Sequence, residues 1–163
     1  MLHVRQVFKL LQAHRLFLKQ SKCLFRQQEI GYLGHVISHD GVKVDQSKIT
    51  AITDWPRPGS VRAVRGFLRL SGYYRKFIRD YGIIAAPLTR LLKKTGFSWD
   101  ETAEESFVAL KKSLSESPVL ALPDFSKDFI IECDASDSGI GAVLQQANHP
   151  IAFFKSEVGR QTY

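Results

Sequence analysis

Apolar residues open the chain at helical spacing. Val4, Val7, Phe8 and Leu11 fall at i, i+3, i+4 and i+7 and so share one face of a predicted helix. Two short apolar segments follow, Leu16-Phe17-Leu18, compatible with extended chain, and Lys22-Cys23-Leu24-Phe25. The run from Ile30 to Ser38 closes on His39-Asp40-Gly41, where Asp-Gly marks a tight turn. Residues 22–44 are therefore expected to form a small antiparallel β unit. Gly31 and Gly34, either side of Tyr32-Leu33, would let another backbone approach closely.

Asp45 suits the cap of a helix running to about Asp54, with Ile49, Ile52 and Trp55 toward the core. Trp55-Pro56-Arg57-Pro58-Gly59 ends it, because each proline disfavours helical geometry in the residue before it. Ser60 can cap a longer helix, predicted over about 61–80 on Val61, Val64, Phe67, Leu68, Phe77 and Ile78. A third helix is expected over about 83–94, interrupted or started near Pro87. Asp100 caps another, whose stripe is Phe107, Leu110 and Leu114, and Pro118 and Pro123 bracket a connector. The period then shortens to that of strands: Phe129 to Asp134, Ile140 to Gln146 and Ile151 to Lys155, with turns at Asp137-Ser138-Gly139 and Ala147-Asn148-His149-Pro150. The expected fold is α+β: a small antiparallel β unit, a helical region, then a three-strand antiparallel meander.

Composition fits a globular chain of 163 residues, with 44% hydrophobic and 24% charged positions, and excludes disordered, collagen-like and disulfide-rich classes. The longest uncharged apolar stretch, Tyr81 to Leu88, is far short of the ~20 residues a membrane crossing needs. No membrane partner is expected. The N-terminus has no apolar signal-peptide core, and Cys23 and Cys133 read as reduced thiols. An intracellular protein, cytoplasmic or nuclear and not secreted, is the expectation.

Charge changes the picture more. The net value is +7, but residues 1–95 hold 18 Lys/Arg against 5 Asp/Glu, and residues 96–163 hold 5 against 11. A basic half suggests a polyanionic partner, nucleic acid being the commonest, with a merely soluble basic surface as the alternative. Between positions 57 and 79 stand Arg57, Arg62, Arg65, Arg69, Arg75, Lys76 and Arg79, with no acid. Arg62, Arg65 and Arg69, at i, i+3 and i+7, make one stripe beside the apolar face. Guanidinium groups so spaced can follow a phosphate backbone. The interleaved Tyr73 and Tyr74 either pack on sugars or bases or belong to the core. His35 and His39 lie on a hairpin, not a helix, and do not read as a metal pair.

Motifs along nearly the whole chain carry a resemblance. Tyr32-Leu33-Gly34-His35-Val36-Ile37-Ser38, Gly41-Val42, Lys48-Ile49 and Trp55-Pro56-Arg57-Pro58 occur in order. Arg65-Gly66-Phe67-Leu68, Tyr73-Tyr74-Arg75-Lys76-Phe77-Ile78, Pro87-Leu88, Phe97-Ser98-Trp99 and Pro118-Val119-Leu120 follow. Asp134-Ala135-Ser136, Gly139 to Leu144 and His149-Pro150-Ile151-Ala152 complete the series. This order resembles the Pol polyprotein of gypsy-class long-terminal-repeat retrotransposons. The resemblance implies that residues 1–44 end a reverse transcriptase palm and 45–95 form its thumb. It makes 96–122 a helical connector and 123–163 the start of a truncated ribonuclease H-like domain.

The resemblance also implies roles. The segment around Tyr32, Leu33, Gly34 and His35 resembles the primer grip, which acts by backbone placement. The thumb stripe of Arg62, Arg65 and Arg69, with Tyr73, Tyr74 and Arg75, would contact the backbone of an RNA–DNA hybrid or another duplex. Lys22 stands where the family's palm carries a lysine that protonates the leaving pyrophosphate, with a plain surface lysine as the alternative. Polymerase chemistry needs paired carboxylates and two metal ions, yet no Asp-Asp occurs and the first acid is Glu29. The double-aspartate hairpin is expected before residue 1. Of the ribonuclease H carboxylates only Asp134 has a match, the next being expected after Tyr163. Asp134 would hold metal only if the missing carboxylates were supplied. Mg²⁺ thus belongs to the parent enzyme, with none expected to bind tightly here. Arg69 stands where the family usually has glycine, and Phe153 to Glu157 departs from its usual pattern. The chain reads as a reverse transcriptase/ribonuclease H fragment, inactive alone, whose partners are nucleic acid and the rest of Pol. A nucleic-acid-binding module derived from the element, or a non-functional relic, are the alternatives.

Overall fold

The predicted caps organise the helices of the computed structural model, which describes residues 2–93, 97–136 and 139–156. The Asp45 carboxylate accepts from the Ser47 amide and starts α2, Gln46–Thr53. The Ser60 hydroxyl accepts from the Ala63 amide and starts α3, Val61–Tyr73. The Asp100 carboxylate accepts from the Ala103 amide at the head of α5, Glu101–Ser115. Each satisfies an amide that the first helical turn leaves without a partner. The opening helix α1 spans Leu2–Ala13, and α4 spans Tyr81–Arg90 with Pro87 inside it.

The strands form two antiparallel meanders. The first, in the order β1 (Glu29–Tyr32), β2 (His35–Ser38) and β3 (Gly41–Val44), occupies the later part of the expected β unit. Residues 22–28 carry no strand. The second, β4 (Ile130–Ser136), β5 (Gly139–Gln146) and β6 (His149–Ser156), is the expected three-strand meander. The α+β expectation holds. The Asp137-Ser138 turn lies outside the described residues. At the other turn Ala147 and Asn148 both have positive φ, the primed geometry that suits a two-residue hairpin. His149 and Pro150 are drawn into β6.

The helix predicted over 61–80 is two pieces. α3 ends at Tyr73, a 3-10 turn covers Arg75–Phe77, and Asp80 turns the chain at a φ of 59° before α4. An i, i+3 apolar repeat is common to both helix types, so the buried series Phe67, Tyr74, Phe77 and Ile78 reads continuously through the break. The helix expected over 83–94 begins earlier, at Tyr81, and ends at Arg90.

One core joins α2 to α5 with β3, the connector and β6. Ile52, Val64, Phe67, Leu88, Leu110 and Leu114 are fully enclosed. The Trp55, Phe67, Phe107 and Trp99 rings meet in series with centroids 6.1, 4.6 and 5.8 Å apart. Two motifs that are distant in sequence meet here. Arg57 lies over the Trp99 ring and pairs with Glu104, which accepts from the Trp99 indole N–H at 2.7 Å. Lys111 donates to the Thr53 and Trp55 carbonyls and covers the Phe107 ring at 4.4 Å. The connector binds both sheets. Val42 and Leu120 exchange backbone hydrogen bonds of 2.8 and 2.9 Å, and the Ala121 amide donates to Pro150. Gly41 makes the first contact possible: its φ is +135° and a Cβ there would meet the Leu120 carbonyl oxygen at 2.1 Å. The backbone approach expected at the glycines around Tyr32-Leu33 does not occur: Gly31 has open space, and Gly34 is met by the Tyr74 side-chain hydroxyl instead.

The amphipathic α1 keeps its apolar face exposed. Val4, Val7 and Phe8 are solvent-accessible, as are Leu16 to Leu18, with Phe17 at 95%. No helix among the described residues is long and apolar enough to cross a membrane.

Candidate nucleic-acid interface

α3 divides its residues cleanly. Val64, Phe67 and Ser71 face inward and are buried, which leaves Arg62, Arg65 and Arg69 exposed on the opposite side. Among the described residues these three guanidinium groups have no carboxylate within ion-pair distance. Tyr73, four residues after Arg69, extends the row at 52% exposure. Gly66, Arg69, Leu70 and Tyr73 line an open groove of about 280 Å³. Arg75 is exposed in the following 3-10 turn.

The adjacent tyrosines separate. Tyr74 is 1% exposed and cannot stack on a base or sugar, so the expected contact role is corrected to a core one. Burial holds its phenol above the ordinary value of 10.0. The spacing contained this division: Tyr73 is i+4 from Arg69 on the basic row, and Tyr74 is i+7 from Phe67 on the apolar one.

The turn between β1 and β2 sits at the end of this row. Leu33 and Gly34 have φ of 49° and 76°. The Tyr73 hydroxyl donates to the Leu33 carbonyl at 2.8 Å, and the Tyr74 hydroxyl to the Gly34 carbonyl at 3.2 Å. His35 also reaches the Leu33 carbonyl, through Nδ1 at 3.1 Å. A carbonyl only accepts, so Nδ1 carries the proton and Nε2 is bare in the neutral ring. Nε2 is buried and, among the described residues, has no hydrogen-bond partner. Burial first, then the Lys76 charge, lowers the His35 pKa below its ordinary 6.5. Tyr32 and Leu33 are exposed. The structure thus brings Tyr32, Leu33, Gly34 and His35 to the same end of α3 as Tyr73. Sequence reasoning placed both groups but missed the hydroxyl-to-carbonyl links between them.

The two residues with expected catalytic ancestry lie elsewhere. Lys22 ends an exposed 3-10 turn, Gln20–Lys22. Asp134 stands exposed on β4 opposite Gly141. With Glu132, Arg79, Asp80 and Phe153 it lines a cavity of about 310 Å³. Among the described residues no three His, Cys, Asp or Glu side chains converge to hold a metal ion. The described residues do not by themselves meet the two-metal requirement.

Comparison with known proteins agrees with this architecture. Residues 99–160 match the family described as the RNase H-like domain found in reverse transcriptase. An uncharacterized mitochondrial protein of Arabidopsis thaliana, AtMg00860, is 44% identical over 130 residues, covering 78% of this chain and 82% of its own. The retrovirus-related Pol polyprotein from transposon gypsy of Drosophila melanogaster is 40% identical over 162 residues, 91% of this chain and 16% of the polyprotein. The transposon Tf2-3 polyprotein of Schizosaccharomyces pombe is 33% identical over 164 residues, 97% and 12% respectively. Hence this chain spans under a fifth of the Pol polyproteins it resembles. The foamy viral protease-reverse transcriptase in complex with RNA/DNA hybrid shares the fold, with a TM-score of 0.83 at 18% identity over 96% of this chain and 22% of that one. The chain belongs to the family of long-terminal-repeat retrotransposon Pol polyproteins, in the stretch that includes the ribonuclease H-like domain of reverse transcriptase.

Proposed function

We propose that this chain is the palm end, thumb and ribonuclease H-like start of a gypsy-class reverse transcriptase, and that its thumb grips duplex nucleic acid. The observation that carries the reading is the row of exposed Arg62, Arg65, Arg69 and Tyr73 on the face of α3 opposite its buried residues. Three exposed guanidinium groups along one helix, unpaired among the described residues, suit phosphate contact without base reading. The match to a foamy viral enzyme solved with dsDNA and with RNA/DNA hybrid supports the choice of partner. Catalysis is assigned to the parent polyprotein, because among the described residues no cluster of carboxylates joins Asp134 to complete a metal site.

Binding to an RNA–DNA hybrid across a salt series tests this. Affinity should fall steeply as salt rises. Replacing Arg62, Arg65 and Arg69 together by alanine should flatten the log–log slope by about 2–3, since each lost phosphate contact removes roughly 0.7–0.9. An unchanged slope in a folded variant would sink the assignment.

A further inference from the structure

The Leu33-Gly34 turn is held largely from outside its own hairpin. Leu33 has a φ of 49°, a conformation a bulky side chain keeps only when its surroundings impose it. Its carbonyl accepts from the Tyr73 hydroxyl and from His35 Nδ1. The Gly34 carbonyl accepts from the Tyr74 hydroxyl and from the Asp45 amide. The His35 ring is packed between aromatic neighbours, 5.5 Å from the centroids of Tyr73 and Tyr74 and 5.6 Å from Phe77. Both tyrosines come from the end of α3, so the helix that carries the arginine row also fixes the turn.

Resting on the thumb reading above, we propose that Tyr73 and Tyr74 are positioning residues. They clamp the Leu33-Gly34 turn to the end of α3, so that turn and arginine row meet the duplex as one rigid surface. The hydroxyls do this work. Neither carries charge, and Tyr74 is enclosed, so neither replaces a phosphate contact. A clamp therefore acts on affinity through geometry and leaves the number of released counterions unchanged.

The test uses the full chain and three probes: an RNA–DNA hybrid with a recessed DNA 3′ end, a salt series, and amide hydrogen exchange. Tyr73→Phe keeps the exposed ring and removes only the hydroxyl, and Tyr74→Phe does the same in the core. In each folded variant, exchange should quicken at residues 33–35 while the thermal midpoint moves little. Affinity for the hybrid should fall about three- to ten-fold, the span one neutral hydrogen bond commands, with the salt slope unchanged. Faster exchange with unaltered affinity would overturn the shared surface, and unaltered exchange would overturn the clamp. A lower salt slope would also overturn the proposal, by showing that the hydroxyl supports an electrostatic contact. If the wild-type chain ignores the hybrid at low salt, the thumb reading itself fails and this proposal with it. That result is distinct from wild-type binding that the two variants leave intact.

Discussion

Gly41→Ala should be among the most damaging single-methyl additions this fold can receive. The residue sits at a φ of +135°, and a methyl there would lie 2.1 Å from the Leu120 carbonyl oxygen and 3.1 Å from Val119 Cγ1. The obstructing atom is backbone, so relief requires the connector to withdraw. Withdrawal breaks the two Val42–Leu120 hydrogen bonds, worth about 0.5–1.5 kcal/mol each. The backbone conformation itself costs alanine roughly 1–3 kcal/mol. These sum to about 2–6 kcal/mol, and loosening Leu120, which is 2% exposed, adds to this. That is a large part of the 5–15 kcal/mol typical of a native domain. Urea unfolding followed by the fluorescence of Trp55 and Trp99 would measure it. The control is Gly59→Ala, where a Cβ meets nothing within 4 Å and the change should stay within about 0.5 kcal/mol. A Gly41→Ala midpoint matching that of Gly59→Ala, at equal slope, would refute the reasoning.

Lys111→Met keeps the aliphatic stem but removes the donor to the Thr53 and Trp55 carbonyls and the charge over Phe107. A loss of about 2 kcal/mol is expected, read as a thermal shift against Lys112→Met, which should be nearly neutral. Ser60→Ala removes the α3 cap and should cost about 1 kcal/mol, a melting shift of about 2–4 °C for a chain of this size. Because the folded His35 pKa lies below 6.5, its contribution to stability is complete above 6.5. It is lost as pH falls through the folded value. The melting temperature should therefore decline in that window, and His35→Phe should remove the decline. Hydrogen bonds from Ser47, from Ala103 and from Ser126 lower the carboxyl pKa values of Asp45, Asp100 and Asp124. Their contributions should vanish only below the ordinary carboxyl value of 3.8, in wild type and His35→Phe alike.

Local signals were the legible ones. Asp45, Ser60 and Asp100 cap as read because a cap depends on three or four neighbouring residues. The strand pattern from 129 to 155 survived because alternation is itself local. The break after Tyr73 was invisible, since a 3-10 turn preserves the i, i+3 repeat of the helix it ends. The fate of residues 2–25 was also hidden: periodicity predicts an amphipathic helix but not what covers its face. At the candidate interface, the arginine row followed from spacing alone. The link between Tyr73 and Leu33 spans 40 positions and joins a side chain to a carbonyl, a pairing no residue type announces.

The joint made by Leu120 and Ala121 bears on how such sequences are inherited. The stretch that matches the ribonuclease H-like family begins at Trp99, yet Phe107, Leu110 and Leu114 of that stretch fill the core beneath α2, α3 and α4. Leu120 is hydrogen-bonded to a strand of the preceding meander. The unit of homology and the unit of folding therefore have different borders. A recombination event that exchanged only residues 99–160 would import about a third of someone else's core. It would succeed only where the incoming residues matched Trp55, Phe67 and Gly41, so these positions should travel together with the downstream domain through the history of the element.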